Sequence, residues 1–149
     1  MGCRVLASND YRITCGFPSH QQRTRGKQHI YGCDIVTAAC TTCAITAHSA
    51  GKVKRVINYI KEHEVDKQGY GYGNQVIIEH NNGVCTIYCH MKPGSICVTV
   101  GQQVKAGDVI GSMGNTGSSF GAHLDFSVIK LKPGYAIENV DILKDIDTK

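Results

Sequence analysis

The chain has 149 residues and a formal charge of +4, from 16 Lys and Arg against 12 Asp and Glu. That length suits one domain with its own hydrophobic core. An excess this small, scattered apart from Arg23, Arg25 and Lys27, argues against nucleic-acid binding. With 17 Gly, 3 Pro and no Trp, the composition suits many short strands joined by tight turns. No apolar run reaches transmembrane length, so membrane insertion is not expected. The start, MGCRVLASNDYR, lacks the apolar core of a signal peptide, and Leu6 stands where a myristoylation signal needs Ser or Thr. The expectation is a domain cut from a larger protein, or one that reaches its place without an ordinary signal.

In chain order, alternating apolar residues predict strands over 34–36, 44–47 and 51–60. The segment KEHEVDKQGYGYGN, too rich in Gly and charge for a core, reads as a surface loop. Strands over 75–79 and 84–91 flank His80-Asn81-Asn82-Gly83, a hairpin signal because Asn-Gly accepts positive φ. Strands over 96–100, 109–112 and 124–129 complete the set, and the tail wraps back or ends in a helical turn. No long 3.6-residue period appears. The predicted class is mainly β, a single domain built on a twisted antiparallel sheet.

Eight cysteines leave two readings open, a disulfide framework or buried thiols. Cys85 and Cys89 favour the second, because in VCTIYCHM they alternate with the face assigned to Tyr88 and His90. Cys40-Thr41-Thr42-Cys43 has no second pair at zinc-finger spacing.

Three of the seven histidines stand where chemistry would want them. His29 precedes Asp34 by five residues in QHIYGCDI, His90 ends the strand TIYCHM, and His123 is followed by Asp125 in HLDF. Residues two apart on a strand share a face, so His123 and Asp125 project together. Such a pair can bind a metal, move a proton, or simply hydrogen-bond at the surface. A catalytic zinc takes three N or O ligands and keeps one position for water, which then ionises near neutral pH. His20 and His63 read as loop residues, His48 as a strand corner, and His80 as a turn residue bonded to backbone.

The blocks GCDIV, CAITAHSAGKV, YGYGNQVIIEHNNGVCTIYCHM, VTVGQQVKAGDVIGSMGNTGSSFGAHLDF and NVDIL occur in that order. As an ordered series they resemble the LytM/lysostaphin-type zinc endopeptidases, which cut the peptides of bacterial peptidoglycan. The resemblance covers residues 10–143, nearly all of the single domain 1–149. It implies a lysostaphin-type fold with a loop-walled cleft. Carried over along the chain, it makes His29, Asp34 and Asp125 the zinc ligands and His90 and His123 the catalytic residues. It also implies one zinc ion, wall peptide as substrate lying between loops 61–74 and 112–122, and a place at the cell wall or in a phage virion.

Two departures from the family pattern matter. Asp125 stands where the third ligand is a His, and two carboxylates neutralise a dication that one leaves positive. The resulting metal is a weaker Lewis acid, and the harder donor set admits other divalent ions. Four residues rather than three separate His29 from Asp34, Ile30 occupies the usual His position, and the additional residue must bulge. The leading expectation is a metal-dependent peptidoglycan endopeptidase with a metal-activated water as nucleophile. The alternatives are an inactive member of the fold that binds wall peptide, glycan or protein, and a disulfide-bonded extracellular interaction protein.

Overall fold

The computed structural model describes residues 11–15, 32–37, 43–61, 73–116, 124–132 and 136–140, with side-chain detail for 43–61, 73–81, 83–116 and 124–130. The strands are β1 (Tyr11–Cys15), β2 (Gly32–Thr37), β3 (Ala44–Thr46), β4 (Gly51–Ile57), β5 (Asn74–Glu79), β6 (Val84–Met91), β7 (Gln103–Val104), β8 (Val109–Ser112), β9 (Leu124–Lys132) and β10 (Ala136–Val140). Eight of them form one sheet in the order β1-β2-β9-β6-β5-β4-β7, with β10 also paired to β9; β3 and β8 form a second, small sheet. All of these pairings are antiparallel, as the turn-rich composition predicts. One edge of β9 serves two partners: Leu124 to Ser127 face β2, and Val128 to Lys132 face β10.

The core lies between the two sheets. Val53, Val76, Ile78, Tyr88, Leu124 and Phe126 of the large sheet pack with Ile45 and Ile110 of the small one. Burying a side chain of this size contributes about 1.5–3 kcal/mol. The expected hairpin between β5 and β6 is present, with a 3-10 turn at Asn81–Gly83 and Gly83 at φ 74°, where a Cβ would be strained. His80 is the backbone-bonding turn residue anticipated: its Nδ1 lies 2.6 Å from the Ala50 carbonyl.

Three strand assignments need correction. Segment 96–100 buries Ile96 and Val98 and exposes Cys97 and Thr99, but Val100 is exposed as well, and the segment is not a strand. Its backbone bonds go out singly, Cys97 N to the Ile110 carbonyl and Ile96 N to Asn58 Oδ1, so no ladder forms. The strand predicted to reach residue 60 stops at Ile57, because the Asn74 amide takes the backbone of Ile60: Ile60 N donates to Oδ1 and Nδ2 donates to the Ile60 carbonyl, both at 2.8 Å. Strands β1, β7 and β10, which local pattern did not mark, exist through pairing with β2, β4 and β9. Most of the predicted surface loop, 62–72, lies outside the described residues.

Among the described cysteines, Cys43, Cys85, Cys89 and Cys97 are thiols, and all but Cys97 are buried. Burial, reinforced by the Glu79 carboxylate, pushes the Cys85 thiol up, so its nucleophilic thiolate is suppressed.

Tyr88 anchors the core by its hydroxyl as well as its ring. It is fully buried against Phe126, with centroids 5.1 Å apart. The His48 N–H donates to its oxygen at 2.9 Å, and the Thr86 hydroxyl shares a 3.0 Å bond with it. Burial outweighs these two bonds and pushes the phenol up to about 12. The fold therefore favours neutral Tyr88, whereas the unfolded chain ionises it near 10. This stabilisation is complete below pH ~10 and is lost as pH rises to ~12, by roughly 3 kcal/mol in all. Tyr88→Phe should cost about 1 kcal/mol at neutral pH by leaving the His48 N–H and Thr86 short of a partner. It should also flatten the alkaline fall in urea midpoint measured between pH 9 and 12; equal slopes in the two proteins would contradict this account.

Candidate active site

Asp125 lies between Leu124 and Phe126, both buried in the main core, so its side chain leaves on the opposite face of the large sheet. It is 4% exposed there. Its antiparallel partners are Asp34 on β2 and Cys89 on β6. Residues directly opposite in such pairs share a face, so Cys89 stands beside Asp125 there, and Asp34 is the register partner of Asp125 on β2.

A bulge adds His90 to that face. Between the pairs Val76↔Tyr88 and Asn74↔Met91, two residues of β6 stand against the single Gln75 of β5. His90 occupies the bulge with φ 59°, the left-handed region that His enters more readily than most residues. This corrects the alternation read from sequence, which put His90 on the face of Tyr88. The additional residue turns its ring to the other side, where Nε2 lies 3.9 Å from Asp125 Oδ2. That distance is too long for a hydrogen bond and within ion-pair range.

His90 is held from behind. Its Nδ1 lies 2.6 Å from the Thr116 carbonyl, which can only accept, so Nδ1 carries the proton. In the neutral form of the ring the lone pair is therefore on Nε2, the nitrogen 3.9 Å from Asp125 Oδ2. Thr116 is fixed in turn: its hydroxyl donates to the Met91 carbonyl at 2.8 Å and accepts from Asn74 N at 3.0 Å. Asn74 Nδ2 reaches the same Met91 carbonyl at 3.2 Å. Thr116 and Asn74 are both fully buried. Gly73, at φ 66°, lets the Thr116 backbone come this near, since a Cβ there would stand 2.6 Å from the Thr116 carbonyl carbon. Sequence reading passed over Asn74 and Thr116. The available signal was a Gly-Asn pair opening a strand and a Thr in a Gly-rich run.

Of the five expected site residues, the structure brings Asp125 and His90 together and sets Asp34 opposite Asp125 in register. The Asp34 side chain, His29 and His123 lie outside the described detail. Among the described residues no three His, Cys, Asp or Glu side chains gather to hold a metal ion. The donor chemistry nonetheless fits a divalent cation. Asp125 is a buried carboxylate, an oxygen donor of the kind that holds a divalent cation.

Comparison with known proteins agrees with this architecture. The model of peptidase family M23 matches residues 28–138. The chain belongs to peptidase family M23. Lysostaphin from Staphylococcus simulans is 33% identical over 118 residues, which is 79% of this chain and 21% of that protein. The DD-carboxypeptidase/endopeptidase Mpg of Neisseria meningitidis serogroup B is 46% identical over 56 residues, 38% of this chain and 12% of Mpg. This M23 chain thus spans about an eighth to a fifth of the length of these curated relatives. The lysostaphin catalytic domain superposes with a TM-score of 0.68 at 27% identity, covering 90% of each chain. A zinc-containing peptidase from Vibrio cholerae superposes at 0.64 with 28% identity, covering 94% of this M23 domain and 38% of that chain.

The support behind His90 can be tested without catalysis. Nitrogen-15 NMR of the neutral ring should show a protonated Nδ1 and a bare Nε2. Gly73→Ala should push Thr116 away, mix the two tautomers and cost about 1–3 kcal/mol in urea unfolding. An unchanged tautomer in that variant would mean that the Thr116 carbonyl does not set it.

Proposed function

We propose that this M23 domain is a metal-dependent endopeptidase acting on the peptides of bacterial peptidoglycan. The observation that carries the proposal is the buried pairing of Asp125 with a His90 whose tautomer is set by the Thr116 carbonyl. His29, Asp34 and Asp125 are the proposed metal ligands, with zinc the proposed ion. His90 and His123 are the proposed catalytic groups. A zinc ion so held supplies Lewis acidity and a water that ionises near neutral pH.

The chain's own residues supply the proton chemistry. His90 Nε2, bare in the neutral ring, can take a proton at that atom while Nδ1–H stays on the Thr116 carbonyl. The resulting imidazolium faces Asp125 Oδ2 at 3.9 Å, close enough for the carboxylate to stabilise it. The charged ring can then donate from Nε2 to a developing oxyanion or to the leaving amine. Burial strengthens each of these interactions, because both side chains are only 6% exposed. We place the active protein at the cell wall or in a phage virion, with this single domain as one module of a larger protein.

Zinc content and digestion of purified peptidoglycan test the assignment together. His90→Ala should leave zinc bound and lower hydrolysis by roughly 10²–10⁴-fold. Asp125→Ala and His29→Ala should lower both zinc content and hydrolysis, and chelation should abolish hydrolysis reversibly. Asp125→His should bind zinc more tightly, because it exchanges one carboxylate for the softer imidazole. A wild-type chain that takes up no zinc and digests nothing would instead be a binding member of the fold.

A further inference from the structure

Gln75 is the one residue of β5 that stands against the His90 bulge. Its neighbour Val76 is in the main core, so Gln75 leaves on the other face, the face of Asp125. It is 4% exposed. Among the described residues its amide makes one hydrogen bond, Nε2 to the Gly73 carbonyl, at the long distance of 3.5 Å. A primary amide can donate twice and accept twice, and neither polar atom of Gln75 is a solvent-excluded atom without a partner, so the unused capacity of its amide is reachable from outside the protein.

Asn74 shows what a structural amide looks like in the same place. It is fully buried one residue earlier, and its side chain makes bonds of 2.8, 2.8 and 3.2 Å to the backbone of Ile60 and Met91. Gln75 has no comparable occupation. Its amide reaches the same corner as His90 from the other side: Nε2 approaches Gly73, Gly73 packs on Thr116, and the Thr116 carbonyl holds the His90 ring.

We propose that Gln75 is a substrate-contacting residue whose primary amide pairs with a main-chain peptide group of the segment lying against the bulge. The inference rests on the endopeptidase reading for the identity of that segment. A carboxamide offers a donor and an acceptor together, which is the complement of a peptide group. It carries no charge that would select one side chain over another, so the contact registers the backbone and leaves side-chain choice to other residues.

The test combines stability with peptide binding. Gln75→Met keeps the length and removes both polar atoms, so the variant should be at least as resistant to urea as the wild type. Binding is read on the metal-stripped full chain, by NMR titration with pentaglycine and with a soluble cross-linked muropeptide, so that hydrolysis does not interfere. The Gln75 side-chain amide signal, identified by its loss in Gln75→Met, should move in at least one titration. The variant should bind that peptide about tenfold more weakly, the loss of one good hydrogen bond. With metal restored, KM should rise while kcat changes little. The proposal is overturned if neither peptide binds the wild type, if the Gln75 signal stays still while others move, or if Gln75→Met binds as well as the wild type. Intact peptide binding through Gln75 in a zinc-loaded chain that digests nothing would uphold this inference and remove the endopeptidase reading.

Discussion

The candidate site depends on one additional residue in β6. A regular pleat would send His90 into the core beside Tyr88, where a polar ring has no partner and cannot meet Asp125. The bulge turns it to the opposite face instead. Left-handed backbone at a non-Gly residue costs on the order of 1–3 kcal/mol, so neighbours must hold it. The Met91 carbonyl takes bonds from both Thr116 and Asn74, and the Thr116 carbonyl takes the His90 Nδ1–H. Gly73 is the condition for this lock, since its missing Cβ lets the Thr116 backbone approach. Strain, support and side-chain orientation are therefore one arrangement.

The large sheet divides its work between its faces. On one, Tyr88 and Phe126 pack against the small sheet, and the buried phenol is bonded to His48 and Thr86. On the other, Asp125 and Cys89 stand side by side on β9 and β6, with His90 beside them and Gln75 on the next strand. Cys85, Ile87, Cys89 and Ile129 form a second buried cluster on that face, next to the polar groups. Rigid strands hold the carboxylate and the imidazole with little freedom, which suits groups that act only at fixed separation. The departure at Asp125 acquires a structural context here. Its register partner on β2 is Asp34.

Much of this was legible in the residues. Alternation marked β4, β5, β6, β8 and β9, and Asn82-Gly83 marked the hairpin, because a two-residue period and a positive φ leave direct traces in side-chain choice. The ordered blocks pointed to the family that the comparisons show. Strands β1, β7 and β10 left no such trace, since their existence rests on edges offered by β2, β4 and β9. Segment 96–100 misled in the opposite direction: its alternation records burial against the core, and burial alone does not make a ladder. His29 and His123 were singled out from sequence and lie outside the described residues.

Residue order alone settles which side chains are on offer, two carboxylates and three histidines in a chain patterned for antiparallel strands. How His90 and Asp125 face one another is a property of the fold. The side of the sheet on which His90 emerges depends on the register between β5 and β6. The tautomer of His90 depends on a carbonyl 26 residues away in sequence, and the idle amide of Gln75 is visible only beside the occupied one of Asn74. Register and long-range hydrogen bonds belong to pairs of segments, so no local pattern along a single strand records them.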